Sequence, residues 1–358
     1  MNSLRRLLSQ TGYLDFYLSF GDGNILMESW QQHASRLEDP LRSLVRLFLL
    51  QEKLPLARVK RLLGGALLDE LVKGGALVKD KGEVFTDKLV LASFNSLLLF
   101  FQHVANPRVY FGTDSLALGM YQSRVPGGLT LDLCAGTGIQ TMLAAMHAKR
   151  SVAVEINPRA AGLARLNARL NNLQGTLKVV NQPLEAFAKE NRDHYDLITF
   201  NPPLLPVPPA LYYPFVGHGG PDGLEVTKRI LKLYMPRLKM GGALEFVGCG
   251  LGKDNHLLFE DELKRTCRDF SCAGRTLLTG RETIARGKPF YESFLYTAAV
   301  HNRLSTDFCH QVCQVHWDMM KANEMCLFFV RIERTAKRQP WTVIDVTGSA
   351  CRWFVGNH

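Results

Sequence analysis

The sequence predicts an α/β protein. Its main body is a doubly wound, Rossmann-like parallel sheet over residues 108–300, preceded by a mainly α, winged-helix-like domain over residues 1–107. Residues 301–358 are expected to form an α/β extension packed on that body. Two observations carry the prediction. From residue 129 onward, short apolar runs alternate with helical stretches, a pattern that implies right-handed crossovers between parallel strands. The first of these runs enters the glycine turn Asp132-Leu-Cys-Ala-Gly136-Thr-Gly138, where an open parallel sheet places its ligand crevice.

Taken in order, residues 1–40 read as one or two helices. Asp39-Pro40 then opens a helix whose face carries Leu41, Leu44, Val45, Leu47, Phe48 and Leu49. Two more amphipathic runs, 56–63 and 66–72, each end at a Gly-Gly pair, and residues 76–78 and 83–86 flank a polar turn as a hairpin. Three helices followed by a hairpin is winged-helix order. In the main body, strands are expected at 129–133, 151–156, 176–180, 195–200 and 243–247, with helices at 139–147, 158–173 and 225–240. Further strands are expected at 290–300, 325–333 and 341–346, with a helix near 307–322.

Composition narrows the function classes. Of 358 residues, 46% are hydrophobic and 21% charged, which is ordinary for a folded domain. The net charge of +10 is spread as +3, +5 and +2 over residues 1–110, 111–300 and 301–358. No basic face or tail concentrates it, which disfavours a nucleic-acid partner. The longest apolar run, Leu89 to Val104, is interrupted by Ser93, Asn95, Ser96, Gln102 and His103, so no membrane span is expected. Residues 1–21 contain Arg5, Arg6 and Asp15 among short apolar patches and do not read as a signal peptide. Eight irregularly spaced cysteines do not form a disulfide scaffold, so a cytoplasmic, reduced setting is expected.

Three elements carry chemistry. Gly136 and Gly138 let backbone amides approach a ligand where a Cβ would intrude, yet no third glycine completes the dinucleotide fingerprint. Glu155, at the end of the second strand, has the charge and position to accept both hydroxyls of a ribose. Asn201-Pro202-Pro203-Leu204 follows the fourth strand. Successive prolines remove amide donors and leave carbonyl acceptors, and an Asn oxygen beside them makes a two-acceptor clamp for an NH₂ group.

In this order and spacing, the three elements resemble class I S-adenosylmethionine-dependent methyltransferases with an Asn-Pro-Pro-aromatic signature. That group includes release-factor glutamine methyltransferases and ribosomal RNA enzymes of the "methyltransferase small" type. The similarity runs over about residues 108–250 and includes Gly219-Gly-Pro-Asp-Gly-Leu224; residues 40–110 resemble the domain that precedes the catalytic domain in some members. The resemblance implies a Rossmann-like methyltransferase sheet and S-adenosylmethionine as cofactor. It implies that Asp132 and the backbone of Cys134, Ala135, Gly136, Thr137 and Gly138 hold the methionine part of the cofactor, and Glu155 its ribose. Ile156 and the segment Asn181-Gln182-Pro183 would border the adenine, Phe111 and Thr113 would cover the carboxylate end, and Asn201 with the Pro202 carbonyl would hold the acceptor nitrogen.

The sequence departs from the family at Leu204, where the signature has an aromatic residue that stacks on a planar acceptor. Tyr212, Tyr213 and His218 are the candidate substitutes on the following loop. Cys134 reads as a packing residue. Cys309-His310-x-x-Cys313-x-x-His316 has metal-ligand residue types, but it reads as one amphipathic helix, and no metal is expected. The resulting expectation is N-methylation of a small-molecule or peptide-like acceptor. The alternatives are an RNA or protein-glutamine methyltransferase, an alkyl-transfer or cyclisation enzyme that consumes the same cofactor, and a cofactor-sensing winged-helix regulator.

Overall fold

The computed structural model describes residues 2–19, 27–103, 107–336 and 340–348. The N-terminal region begins with helices α1 (Asn2–Gln10), α2 (Tyr13–Leu18), α3 (Met27–Ala34) and α4 (Leu41–Phe48). Next come β1 (Leu54–Pro55), α5 (Leu56–Leu63), α6 (Gly65–Lys73), β2 (Val78–Asp80) and β3 (Glu83–Phe85), with the strands in antiparallel order β1-β3-β2. The apolar run after them is a second hairpin, β4 (Leu89–Phe94) and β5 (Leu97–Gln102). The sequence reading did not resolve this hairpin, because both of its faces are buried and the alternation that marks a strand is missing.

The main body follows with α7 (Thr113–Tyr121), β6 (Leu129–Leu133), α8 (Ile139–Ala145), β7 (Arg150–Val154), α9 (Pro158–Leu170), β8 (Leu177–Val180), α10 (Leu184–Glu190) and β9 (Tyr195–Phe200). Then come α11 (Glu225–Tyr234), β10 (Leu238–Lys253), β11 (His256–Leu257), α12 (Glu260–Asp269), β12 (Cys272–Thr283), α13 (Pro289–Asn302), α14 (Thr306–Met319), β13 (Glu324–Arg334) and β14 (Thr342–Asp345). The central sheet has the order β14-β12-β13-β10-β9-β6-β7-β8, and β10, β9, β6, β7 and β8 run parallel. β13 is antiparallel to both of its neighbours, β10 and β12.

Two expectations are corrected here. Residues 290–300 are helix α13, not a strand. Tyr291, Phe294, Leu295, Ala298 and Ala299 are its buried residues, a helical spacing beneath an aromatic-rich composition that suits strands. The chain after residue 300 is not an extension laid on the body. Its strand β13 is inserted between β10 and β12, and Phe328, Val330 and Ile332 lie in the same core as Leu131, Ile198 and Phe246.

The N-terminal region also shares its core with the main body: Phe48, Leu68 and Phe100 cluster with Ile139, Met142, Leu163 and Leu166. Two asparagines, Asn167 of α9 and Asn171 at its C-cap, make the seam. Asn167 accepts from the Phe100 amide at 2.8 Å and donates to its carbonyl at 3.1 Å. Asn171 does the same for Leu98 at 2.9 and 2.7 Å. Spaced i, i+4 on one helix face, these side chains satisfy the β5 edge as a further strand would. Among the described residues, no helix is long and apolar enough to cross a membrane.

Candidate active site

The site lies where the parallel strands end. Strand β6 runs into the turn 134–138, in which Cys134, Gly136 and Gly138 all have positive φ (57°, 51° and 81°). A Cβ on Gly136 would meet only the Tyr110 carbonyl, at 3.6 Å, so this glycine opens onto free space. Gly138 points elsewhere: its Cβ would lie 3.1 Å from the Ala164 Cβ of α9, so it lets that helix pack against the turn. Burial drives the Cys134 thiol far above its ordinary value, which keeps it protonated and unsuited to act as a nucleophile.

A cavity of about 500 Å³ opens over this turn. Its walls include Thr113, Cys134, Ala135, Gly136, Thr137, Glu155, Ile156, Gln182 and Pro183 on one side. Asn201, Pro202, Pro203, Leu204, Tyr213 and His218 line the other. Five predicted contacts are not among its lining residues: Asp132, Phe111, Gly138, Tyr212 and Asn181, the last of which is turned onto the Glu155 and Ile156 carbonyls. Asp132 is buried behind the turn, where it accepts from the Thr141 amide (3.1 Å), the Thr141 hydroxyl (2.6 Å) and the Thr199 hydroxyl (3.2 Å). Its carboxyl, pushed up to about 7 by burial, ties α8 to β6 and β9. Phe111 turns to Phe101, ring centroids 5.0 Å apart. Gly138 faces α9, as described. Tyr212 is 62% exposed and is fixed through its backbone to the Asn302 side chain.

Glu155 is buried against the cavity. One carboxylate oxygen accepts from the Gly136 amide (2.8 Å) and the other from the Asn157 amide (2.7 Å). Burial raises its carboxyl, and these amide bonds oppose the rise. A carboxylate has about four acceptor positions, so two bonds leave room for a pair of hydroxyl donors. Asn181 donates to the Glu155 and Ile156 carbonyls at 2.8 and 3.0 Å, holding the end of β7 against the strand beside it.

Asn201 closes the other end. Its Nδ2 donates to Asp114 Oδ2 (3.0 Å) and Ser115 Oγ (3.1 Å), while its Oδ1 is buried and has no partner among the described residues. The following loop folds back over the sheet: the Leu205 amide donates to the Gly217 carbonyl (2.8 Å) and the Gly219 amide to the Leu205 carbonyl (3.0 Å). Gly223, at φ 81°, permits this, since a Cβ there would sit 2.4 Å from the Cys249 carbonyl and 2.7 Å from the Leu204 carbonyl. Tyr213 stacks on Phe294 at 5.0 Å, and His218 Nδ1 accepts from the Gly220 amide at 3.2 Å.

Sequence reasoning singled out Phe111 and Thr113 from the segment 110–115; Tyr110, Asp114 and Ser115 of that segment line the cavity as well, as do Phe290 and Thr297, which it missed. Gly112-Thr-Asp-Ser115 carried a usable signal, a small polar run with an acid in the first turn of α7. Phe290 and Thr297 were hidden by the strand reading of α13. No group of three or more His, Cys, Asp or Glu side chains among the described residues is placed to hold a metal. In the 309–316 segment, His310 pairs with Tyr291 at 2.7 Å and His316 lies 3.3 Å from the Pro221 carbonyl.

The donor and acceptor set fits S-adenosylmethionine. A buried carboxylate with spare acceptor positions suits a ribose, the Gly136 opening suits close backbone approach, and the Asn201 oxygen is left free for a donor that no described residue supplies. Comparison with known proteins agrees. Residues 105–266 match the family described as the methyltransferase small domain. Residues 31–87 match a domain of unknown function, so the winged-helix-like reading of that region rests on element order alone. A Methanocaldococcus jannaschii protein assigned as a protein N5-glutamine methyltransferase is 33% identical over 153 residues, covering 41% of this chain and 75% of that one. The release factor glutamine methyltransferase of Clostridium acetobutylicum is 27% identical over 42% of this chain and 58% of its own length. A tRNA1(Val) (adenine(37)-N6)-methyltransferase of Histophilus somni is 30% identical over 26% of this chain and 40% of its own. The chain therefore belongs to the methyltransferase small domain family and is an S-adenosylmethionine-dependent methyltransferase.

Proposed function

We propose that the chain N-methylates the side-chain carboxamide of a glutamine in a peptide or protein. The observation that carries this reading is the Asn201 Oδ1 atom: a buried acceptor without a partner among the described residues, next to a Pro202-Pro203 backbone that offers carbonyls and no amides. A primary amide brings the two N–H donors that such a pair of acceptors takes. When bound, S-adenosylmethionine supplies an electrophilic methyl group. The chain's own part is positional: Asn201 and the Pro202 carbonyl hold the NH₂ group, Glu155 holds the ribose hydroxyls, and Leu204 and Tyr213 wall the acceptor end against water.

Charge supports a peptide over a polynucleotide. Arg108 and Arg229 line the cavity, but Arg229 is ion-paired to Glu185, and Glu155 and Asp114 add negative groups. Glutamine methyltransferases among the relatives point the same way. The tRNA enzyme among them, and the rings of Tyr110 and Tyr213, favour an exocyclic base amine as the second reading.

The test is transfer of labelled methyl from S-adenosylmethionine to recombinant release factor, ribosomal protein, total RNA and a metabolite extract, with the product atom located by mass spectrometry. N5-methylglutamine in a protein is the expected product. Label confined to RNA in a salt-sensitive manner would establish the second reading instead, and label confined to a metabolite would overturn both.

A further inference from the structure

The Asn201 carboxamide can act as a clamp only if its oxygen faces the acceptor, and nothing within an asparagine side chain dictates which way its amide lies. The orientation comes from α7. Both Nδ2 hydrogens are taken up, by the Asp114 carboxylate and by the Ser115 hydroxyl. Turning the amide over would set Oδ1 against the Asp114 carboxylate, acceptor against acceptor, and would leave the NH₂ group facing the cavity. Asp114 is itself buried and held: its Oδ1 accepts from the Ser115 amide at 2.7 Å, and the Tyr110 hydroxyl bonds to the same carboxylate. The Tyr110 ring lines the cavity, 39% exposed, with its hydroxyl directed inward to Asp114. Gly112 leaves space for that hydroxyl, since a Cβ there would fall 2.0 Å from it.

Resting on the carboxamide reading above, we propose that Asp114 is a positioning residue for the transfer: its carboxylate fixes Asn201 with Oδ1 toward the acceptor and anchors Tyr110 beside it. Although Asp114 also lines the cavity, the role assigned to it runs through those two side chains. The chemistry explains why an acid stands there, because a carboxylate only accepts and so admits one orientation of Asn201. An amide at 114 would admit both.

The test compares the wild-type chain with Asp114→Asn, which keeps the side-chain volume, and Asp114→Ala. Two readouts are used. The first is steady-state turnover on a glutamine-containing peptide, with calorimetric affinity for S-adenosylhomocysteine measured alongside. Asp114→Ala is expected to lower kcat on the order of 10²-fold, as a misplaced reacting group does, with S-adenosylhomocysteine affinity unchanged. Asp114→Asn should fall between it and the wild type. The second readout needs no acceptor: hydrogen exchange of the Asn201 side-chain amide in the S-adenosylhomocysteine complex, assigned by its loss in Asn201→Ala. Protection in the wild type and fast exchange in Asp114→Ala are expected. Equal protection in both, or a parallel loss of turnover and cofactor affinity, would overturn the proposal. If the wild type leaves the peptide unmethylated, the glutamine reading falls and the exchange result still decides the role of Asp114.

Discussion

On the proposed reading, single residues divide the cavity into a cofactor half and an acceptor half, and substitutions should separate them. Asn201→Ala removes the one buried side-chain acceptor without a partner among the described residues that line the cavity. Turnover should fall far more than S-adenosylmethionine affinity, and calorimetry beside a methyl-transfer assay would show it; equal losses would make Asn201 a cofactor support. Glu155→Ala should do the reverse. Hydrogen bonds to a charged group contribute about 1.5–3 kcal/mol, so affinity should drop about 10- to 100-fold. Asp132 makes a different prediction. Its carboxyl, near 3.8 when free, is pushed up to about 7 in the fold by burial. The folded protein therefore holds a proton that the unfolded chain releases, and stability falls as pH rises between those two values. Asp132→Asn removes this dependence, so its melting temperature relative to wild type should climb from pH 5 to pH 8. A constant difference across that range would show that Asp132 is ionised in the fold.

Elements are joined by a few polar contacts whose loss should register as stability or as loop placement. Asn167 is fully buried, and its replacement by Ala would strand the Phe100 amide and carbonyl at the β5 edge. Each stranded group costs about 1–3 kcal/mol, which a urea melt with unchanged slope would report. Gly223→Ala is predicted to push the Leu204 backbone off its seat, because the added Cβ collides with two carbonyls. Acceptor KM should rise while cofactor affinity holds. At this scale the sequence was most legible where the period was clean. Strands β6, β7 and β9 and helices α8 and α9 lie within a few residues of expectation. It was least legible in α13, where aromatic and β-branched residues with strand propensity sit on a helical period.

Across the molecule, the sheet is one cooperative object. β13 hydrogen-bonds β10 along Ala243–Gly252 and β12 along Cys272–Thr283, so a strand that follows residue 300 is interior to the sheet. A chain ending at residue 300 should lose both S-adenosylmethionine binding and a cooperative calorimetric transition. Retention of both would show that the C-terminal segment is dispensable.

The sequence alone determined the cofactor class and named many residues that line the cavity, because the glycine turn, Glu155 and Asn201-Pro202-Pro203 are local patterns. Each follows its strand directly, and a parallel sheet brings the ends of its strands to one edge whatever else the chain does. Tertiary structure decided the rest. Asp132 could be separated from the cavity only once its hydroxyl partners, Thr141 and Thr199, were seen in place. Asp114 and Asn201 are 87 positions apart, and their contact exists only because α7 packs beside the end of β9. Strand periodicity reports which face of a segment is buried, not which strand lies next to it. The insertion of β13 between β10 and β12 was therefore settled by pairing across the sheet, which no local pattern encodes.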